Sequence, residues 1–394
     1  MNRRTGRQRT RPPRQETSIM KDSLARMLEF HRAARHCPGA VILVERDGEE
    51  IVRLVSGTMR DETPGAAAGE PMRMDAMFRI ASLTKPVVSV LAMMLVDEGR
   101  LGLDDPVARY LPELGSMRMP DGAAPVREPT IRDLMRHTSG LAYGREIDDP
   151  DVAERVRAEG LDERLPLLEP AAFLQSLARL PLTKQPGTAF RYGYSTDVLG
   201  LVIERILGQR LGDALAERIF APLGMRETGF RMSAQQRERM PGAFPEDRVW
   251  HGVVEKYARA DELGTPLHSG GGGLASTIDD YARFARMLAN GGVCEGRRLL
   301  SESAFAEMTR NQLPPAVDGP LGFTGSGFGF GLALAVRQPW GACAYPCAVG
   351  ELTWSGMTGT AMFVDPARRW FALMFSCNTA SRLIARFEFR RALG

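Results

Sequence analysis

A serine hydroxyl becomes a useful nucleophile only when a neighbouring group takes its proton, and Ser82-Leu83-Thr84-Lys85 supplies a candidate pair. Residues three positions apart share one face of a helix, so the Lys85 amine would lie beside the Ser82 hydroxyl if a helix begins there. A helix start would also aim backbone N–H groups at the negative charge that develops on a carbonyl under attack. The chain holds only four lysines, Lys21, Lys85, Lys184 and Lys256, yet Ser-x-x-Lys occurs twice. The other copy, Ser18-Ile19-Met20-Lys21, has no strand pattern before it and no buried helix after it. Ser82 has both, because residues 78–81 lead in and residues 87–97 are almost wholly apolar. Taken alone, the tetrapeptide also fits an N-cap serine followed by a solvated lysine. Pro86 suits a helix only within its first turn.

Other serine chemistry fares worse. No serine stands in Gly-x-Ser-x-Gly, and Gly193-Tyr194-Ser195-Thr196-Asp197 fails at its last place. Of five histidines, His31 and His36 sit near the first helical pattern, while His251 and His268 lie in loop-like segments. His137 follows a helical pattern and reads as ordering a turn. Lysine and tyrosine therefore remain as candidate bases. No His/Cys/carboxylate cluster has metal-ligand spacing and no Gly-x-Gly-x-x-Gly opens a helix after a strand, so no cofactor is expected.

The elements that must position these residues follow from periodicity. Residues 24–35 have apolar positions at helical spacing. Residues 40–45 and 51–55 read as strands joined at Asp47-Gly48, a hairpin signal. Residues 65–71 read as loop. From residue 101 to about 264 the alternation disappears, and helical patterns at 130–136, 171–178, 196–207 and 211–219 are separated by Pro and Gly. Gly270-Gly271-Gly272-Gly273 reads as a flexible joint, and residues 277–290 as a helix capped by Thr277. Strand patterns return at 329–336, 360–364 and 370–377, with a closing helix at 381–393. The expected fold is α/β (α+β): an antiparallel sheet built from both chain ends, flanked by helices, with a mainly helical inserted domain. The expected division is a disordered basic leader at 1–20, a sheet domain at 21–102 and 265–394, and a helical domain at 103–264.

Composition narrows the function class. The chain has 394 residues, 44% hydrophobic and 25% charged, with net charge +3. Arg3, Arg4, Arg7, Arg9, Arg11 and Arg14 crowd the first fifteen residues, leaving 45 basic against 48 acidic residues elsewhere. No basic run marks a nucleic-acid partner. No apolar stretch after the arginines forms a signal peptide and no run of about 18 apolar residues spans a membrane, so a cytoplasmic protein with no membrane partner is expected. Five cysteines (Cys37, Cys294, Cys343, Cys347, Cys377), without zinc spacing, read as reduced thiols.

Ser82-Leu83-Thr84-Lys85 before an apolar helix resembles the active-site motif of class C β-lactamases, penicillin-binding proteins and the family VIII carboxylesterases. Further segments are similar in order: residues 101–107, the turn at 137–141, Pro186-Gly187-Thr188-Ala189-Phe190-Arg191-Tyr192, and Trp354-Ser355-Gly356 in place of the third motif. The resemblance spans residues 22–390. It implies that Ser82 is the nucleophile and that Lys85 and Tyr192 share the proton work. Neither an isolated amine nor an isolated phenol is basic at neutral pH, so the two are treated as one titrating unit. It also implies an oxyanion hole from the Ser82 and Met357 backbone N–H groups, with Trp354, Gly356 and Tyr194 in the substrate pocket.

Two departures choose the branch. Tyr194 stands where the lactamases resemble asparagine, and Trp354 where they carry lysine; no Lys or Arg lies between Glu351 and Pro366. A site without those partners disfavours an anionic, amide-bearing substrate. The reading is a serine carboxylesterase for small neutral, short-chain esters. A lactamase or peptidase, an acyltransferase, and a non-catalytic binding protein are the alternatives. Oligomeric state is not legible.

Overall fold

The computed structural model describes residues 14–60 and 69–394. Most of the leader and part of the loop expected at 65–71 lie outside the described residues. Helix α1 runs Arg14–Ala33, so residues 14–20, assigned to a disordered leader, are helical. The buried positions that reveal the helical register, Leu24, Met27 and Leu28, all lie after residue 20, so the earlier turns of the helix carried no such signal.

The sheet draws on both ends of the chain. Strands β1 (Gly39–Arg46) and β2 (Glu49–Gly57) form the expected hairpin. Near the C-terminus come β3 (Phe328–Phe330), β4 (Ala335–Arg337), β5 (Leu352–Ser355), β6 (Ala361–Asp365) and β7 (Trp370–Ser376). All pairings are antiparallel, in the order β2-β1-β7-β6-β5-β4-β3. The single strand expected over 329–336 is a hairpin, turning through Ala333 at φ 91°. Every residue of β7 is buried, which requires cover on both faces of the sheet. Helix α5 (Ile278–Ala289) packs across β1, β6 and β7, and α1 packs on β1 and β2 beside the C-terminal helix α6 (Arg382–Ala392). Thr277 caps α5 by accepting from the Asp280 N–H, as its position suggested.

Between the two halves of the sheet the chain is helical. Helix α2 (Thr84–Asp97) is buried over nearly its whole length, explaining an apolar sequence with no polar face. Pro86 is its third residue, inside the turn whose N–H groups have no intrahelical acceptor. Helices α3 (Ser195–Leu207) and α4 (Arg248–Glu262) complete the set that reaches the site. Among the described residues, no helix is long and apolar enough to cross a membrane.

Candidate active site

Ser82 lies in a single 3-10 turn, Ala81–Leu83, that runs directly into α2. Ala81 holds φ 45°, a left-handed conformation that a residue with a Cβ adopts at a cost. The surroundings hold the turn there. Thr358 Oγ1 donates to the Arg79 carbonyl at 2.5 Å, Thr360 Oγ1 to the Ile80 carbonyl at 3.1 Å, and Tyr281 Oη to the Leu83 carbonyl at 2.8 Å. A serine fixed by its neighbours loses little entropy on attack.

One turn further on, Lys85 is fully buried. Its Nζ lies 3.5 Å from Ser82 Oγ and donates to the Gly271 carbonyl at 2.6 Å. The amine also faces the Tyr192 ring, 4.5 Å from its centroid. Tyr192 precedes α3, where Tyr143 N–H donates to the Tyr192 carbonyl at 3.1 Å and Tyr194 N–H to the Leu141 carbonyl at 3.0 Å. Gly193 is required between them, because a Cβ there would stand 2.0 Å from the Leu141 carbonyl oxygen. Among the described residues the Tyr192 hydroxyl is partnered by Trp354, whose Nε1 donates to it at 3.3 Å.

Trp354 is nearly fully buried on β5. Gly356 follows, its N–H donating to the Thr360 carbonyl at 2.8 Å, and a Cβ there would lie 2.4 Å from the Ile80 carbonyl oxygen. The close approach brings the chain at Gly356 against Ile80, just before the Ser82 turn. Ser82, Tyr192, Trp354, Gly356 and Met357 share one cavity of about 430 Å³, within the range that small ligands occupy.

Tyr194 is not part of that wall. It is fully buried, stacks edge-on with Tyr143, and donates to Asp162 Oδ1 at 2.5 Å. Burial, with the Asp162 charge, raises its pKa strongly and keeps it a neutral donor. The structure thus corrects the expectation of substrate contact, since the backbone turns Tyr194 toward Asp162 and the core.

The glycine run is also corrected. Far from a flexible joint, it is close-packed: a Cβ on Gly270 would be 2.5 Å from the Thr196 carbonyl, and one on Gly273 2.8 Å from the Phe230 ring. Glycine is present because backbones meet there.

Several site residues carried no sequence signal. Arg79, Arg145, Lys256 and Arg382 reach the cavity from other segments, so counting cations along 351–366 missed them. Each has a hydrogen-bond or ion-pair partner within the protein. Arg79 pairs with Asp261 at 2.6 Å, Lys256 donates to the Asp162 carbonyl at 2.8 Å, Arg145 faces Glu146 at 3.5 Å, and Arg382 donates to the Thr379 carbonyl. His137 does more than order a turn. It is fully buried at φ 58°, and its ring lies 4.6 Å from that of Tyr192. Burial, then the Lys85 charge, drives its pKa well below the ordinary imidazole range, so it is neutral. Phe323 walls the same side, 5.3 Å from Tyr192 and 5.7 Å from Trp354 between ring centroids.

Comparison with known proteins finds relatives in sequence and in fold. The Esterase EstB of Burkholderia gladioli is 36% identical over 384 residues, 92% of each chain. The solved structure described as EstCE1, a hydrolase with promiscuous acyltransferase activity, superposes with TM-score 0.79 at 25% identity, covering 96% of this chain and 99% of that one. An unliganded simvastatin synthase from Aspergillus terreus shares the fold, with TM-score 0.73 at 22% identity over 97% of this chain and 98% of its own. The β-lactamase family pattern matches residues 24–390, nearly the whole described chain, and the protein belongs to that family.

Proposed function

We propose that the protein is a serine carboxylesterase that hydrolyses small neutral esters through an acyl-enzyme on Ser82. The observation carrying this reading is that Ser82, whose Oγ lies beside the buried Lys85 amine, lines one cavity with Tyr192. Ser82 Oγ attacks the ester carbonyl carbon while its proton passes to the Lys85/Tyr192 unit. The Ser82 and Met357 N–H groups receive the developing oxyanion. The alcohol leaves with the proton, and water, deprotonated by the same unit, then attacks the acyl-serine to release the acid. The similarity to EstB and EstCE1 supports ester hydrolysis. An aromatic wall of Tyr192, Phe323 and Trp354 suits an apolar acyl or alcohol group.

Steady-state hydrolysis of p-nitrophenyl butyrate tests the reading. Ser82→Ala abolishes turnover, and Lys85→Ala and Tyr192→Phe each lower kcat by orders of magnitude while folding normally. Near wild-type turnover by Ser82→Ala would end it. EstCE1's described promiscuity supports a second use of the same intermediate, acyl transfer to an alcohol in place of water. Added alcohol acceptors that yield a new ester, rather than acid alone, reveal that branch.

A further inference from the structure

Asp197 is a buried carboxylate in the first turn of α3, and the chemistry above does not use it. Its Oδ1 accepts from Ser269 Oγ at 2.6 Å and from the Gly271 N–H at 3.0 Å. Its Oδ2 is buried with no hydrogen-bond partner among the described residues. A Cβ on Gly271 would lie 2.4 Å from that Oδ2, so the carboxylate presses directly on the Gly271 backbone. The same glycine's carbonyl accepts from Lys85 Nζ. Gly271 is therefore gripped from both sides, by Asp197 at its N–H and by Lys85 at its carbonyl. A buried carboxylate with one unpartnered oxygen persists only where a nearby positive charge offsets its lost hydration. The groups facing Asp197 are Lys85 from α2, Lys256 and Tyr257 from α4, and Tyr143 and Tyr194 from the segments before α3. Both amines donate to a backbone carbonyl, Lys256 to that of Asp162 and Lys85 to that of Gly271, and the Lys85 charge is the one that pulls the Asp197 carboxyl toward its ionised form.

We propose that Asp197 is a positioning residue for ester hydrolysis: its carboxylate fixes the Gly271 carbonyl that receives Lys85 Nζ, and its charge biases the proton balance of the Lys85/Tyr192 unit. The proposal rests on Ser82 and Lys85 acting as assigned above. Burial pushes the Asp197 carboxyl above the usual carboxylate range, while the Lys85 charge, the Ser269 hydroxyl and the Gly271 N–H pull it back toward the ionised form.

Asp197→Asn tests the charge, because the amide oxygen still accepts from Ser269 and Gly271. A removed negative charge makes the proton-holding unit release its proton more readily. The acidic limb of kcat/KM against pH for p-nitrophenyl butyrate is expected to move down by about one pH unit, a tenfold change in proton affinity. Asp197→Ala loses the grip as well and is expected to lower kcat about tenfold or more with little change in KM. Ser269→Ala removes one donor from the carboxylate and should move the limb in the same direction by a smaller amount, which covers a failure of Asp197→Asn to fold. Limbs in Asp197→Asn and Ser269→Ala that superpose on wild type overturn the proposal, as does wild-type kcat in Asp197→Ala. Fluorophosphonate labelling of Ser82 is followed in parallel. Loss of labelling selectivity for Ser82 would implicate the nucleophile assignment, whereas intact labelling with an unmoved limb condemns Asp197 alone.

Discussion

Trp354 donates its indole N–H to the hydroxyl of Tyr192 at 3.3 Å, a contact between residues 162 apart in sequence. The donated N–H fixes where the phenol oxygen lies. Trp354 thus directly contacts the phenol proposed to share in the proton transfer. Trp354→Phe keeps an aromatic ring, removes the donor and leaves a cavity where the larger indole was packed. The expected result is kcat lowered about tenfold for the lost hydrogen bond, together with a lowered unfolding midpoint from the cavity. Parallel kinetics and thermal melts check both halves.

The glycine strap yields a backbone prediction. Gly271→Ala drives a methyl into Asp197 and should lower kcat/KM at least about tenfold, because Lys85 loses its fixed acceptor. Gly252→Ala is the control. It lies within α4, where a Cβ meets nothing within 4 Å, so activity is retained and stability rises by about 0.5–1 kcal/mol.

His268 gives a pH-dependent stability. Its Nδ1 accepts from the Gly212 N–H at 2.9 Å, and its ring stacks on Phe230 at 4.6 Å. Burial, then the Arg210 charge, lowers its pKa to about 4. In the unfolded chain imidazole takes a proton near pH 6.5, so the unfolded state binds protons first as pH falls. The contribution is complete above about pH 6.5 and is lost as pH falls toward 4, up to about 3 kcal/mol in all. Denaturant unfolding at pH 7 and 4.5 should show a loss smaller by about 2–3 kcal/mol in His268→Gln than in wild type.

Substrate preference follows from Trp354 and the inward turn of Tyr194. One lost charge-assisted bond to a lactam's carboxylate costs about 1.5–3 kcal/mol and one lost neutral bond to its amide about 0.5–1.5 kcal/mol, together roughly thirtyfold and more in kcat/KM. Turnover of p-nitrophenyl butyrate should exceed that of a chromogenic cephalosporin by at least that margin. Comparable rates would remove the argument from the substituted motif positions.

The sheet hairpin, the Thr277 cap and the helical middle were legible because each is a local pattern of periodicity or turn chemistry. The proximity of Ser82 and Lys85 was legible because both sit on one continuous turn of chain. Tyr192, Trp354 and Met357 needed family resemblance, since nothing local says that β5 passes the Ser82 turn. Tyr194 was misplaced because a single backbone turn decides whether its ring faces substrate or Asp162. Asp197, Gly271 and His137 stayed hidden, because their contacts arise only where α2, α3 and the glycine strap meet.

The most direct measurement is mass spectrometry of the protein after reaction with a fluorophosphonate and, separately, after rapid quenching during p-nitrophenyl butyrate turnover. One adduct on the peptide containing Ser82 is expected in each case, absent from Ser82→Ala, and rising in step with lost turnover for the phosphonate. An adduct on another residue, or full esterase activity in the fully labelled protein, would contradict the assignment of Ser82 as the residue that carries the acyl group.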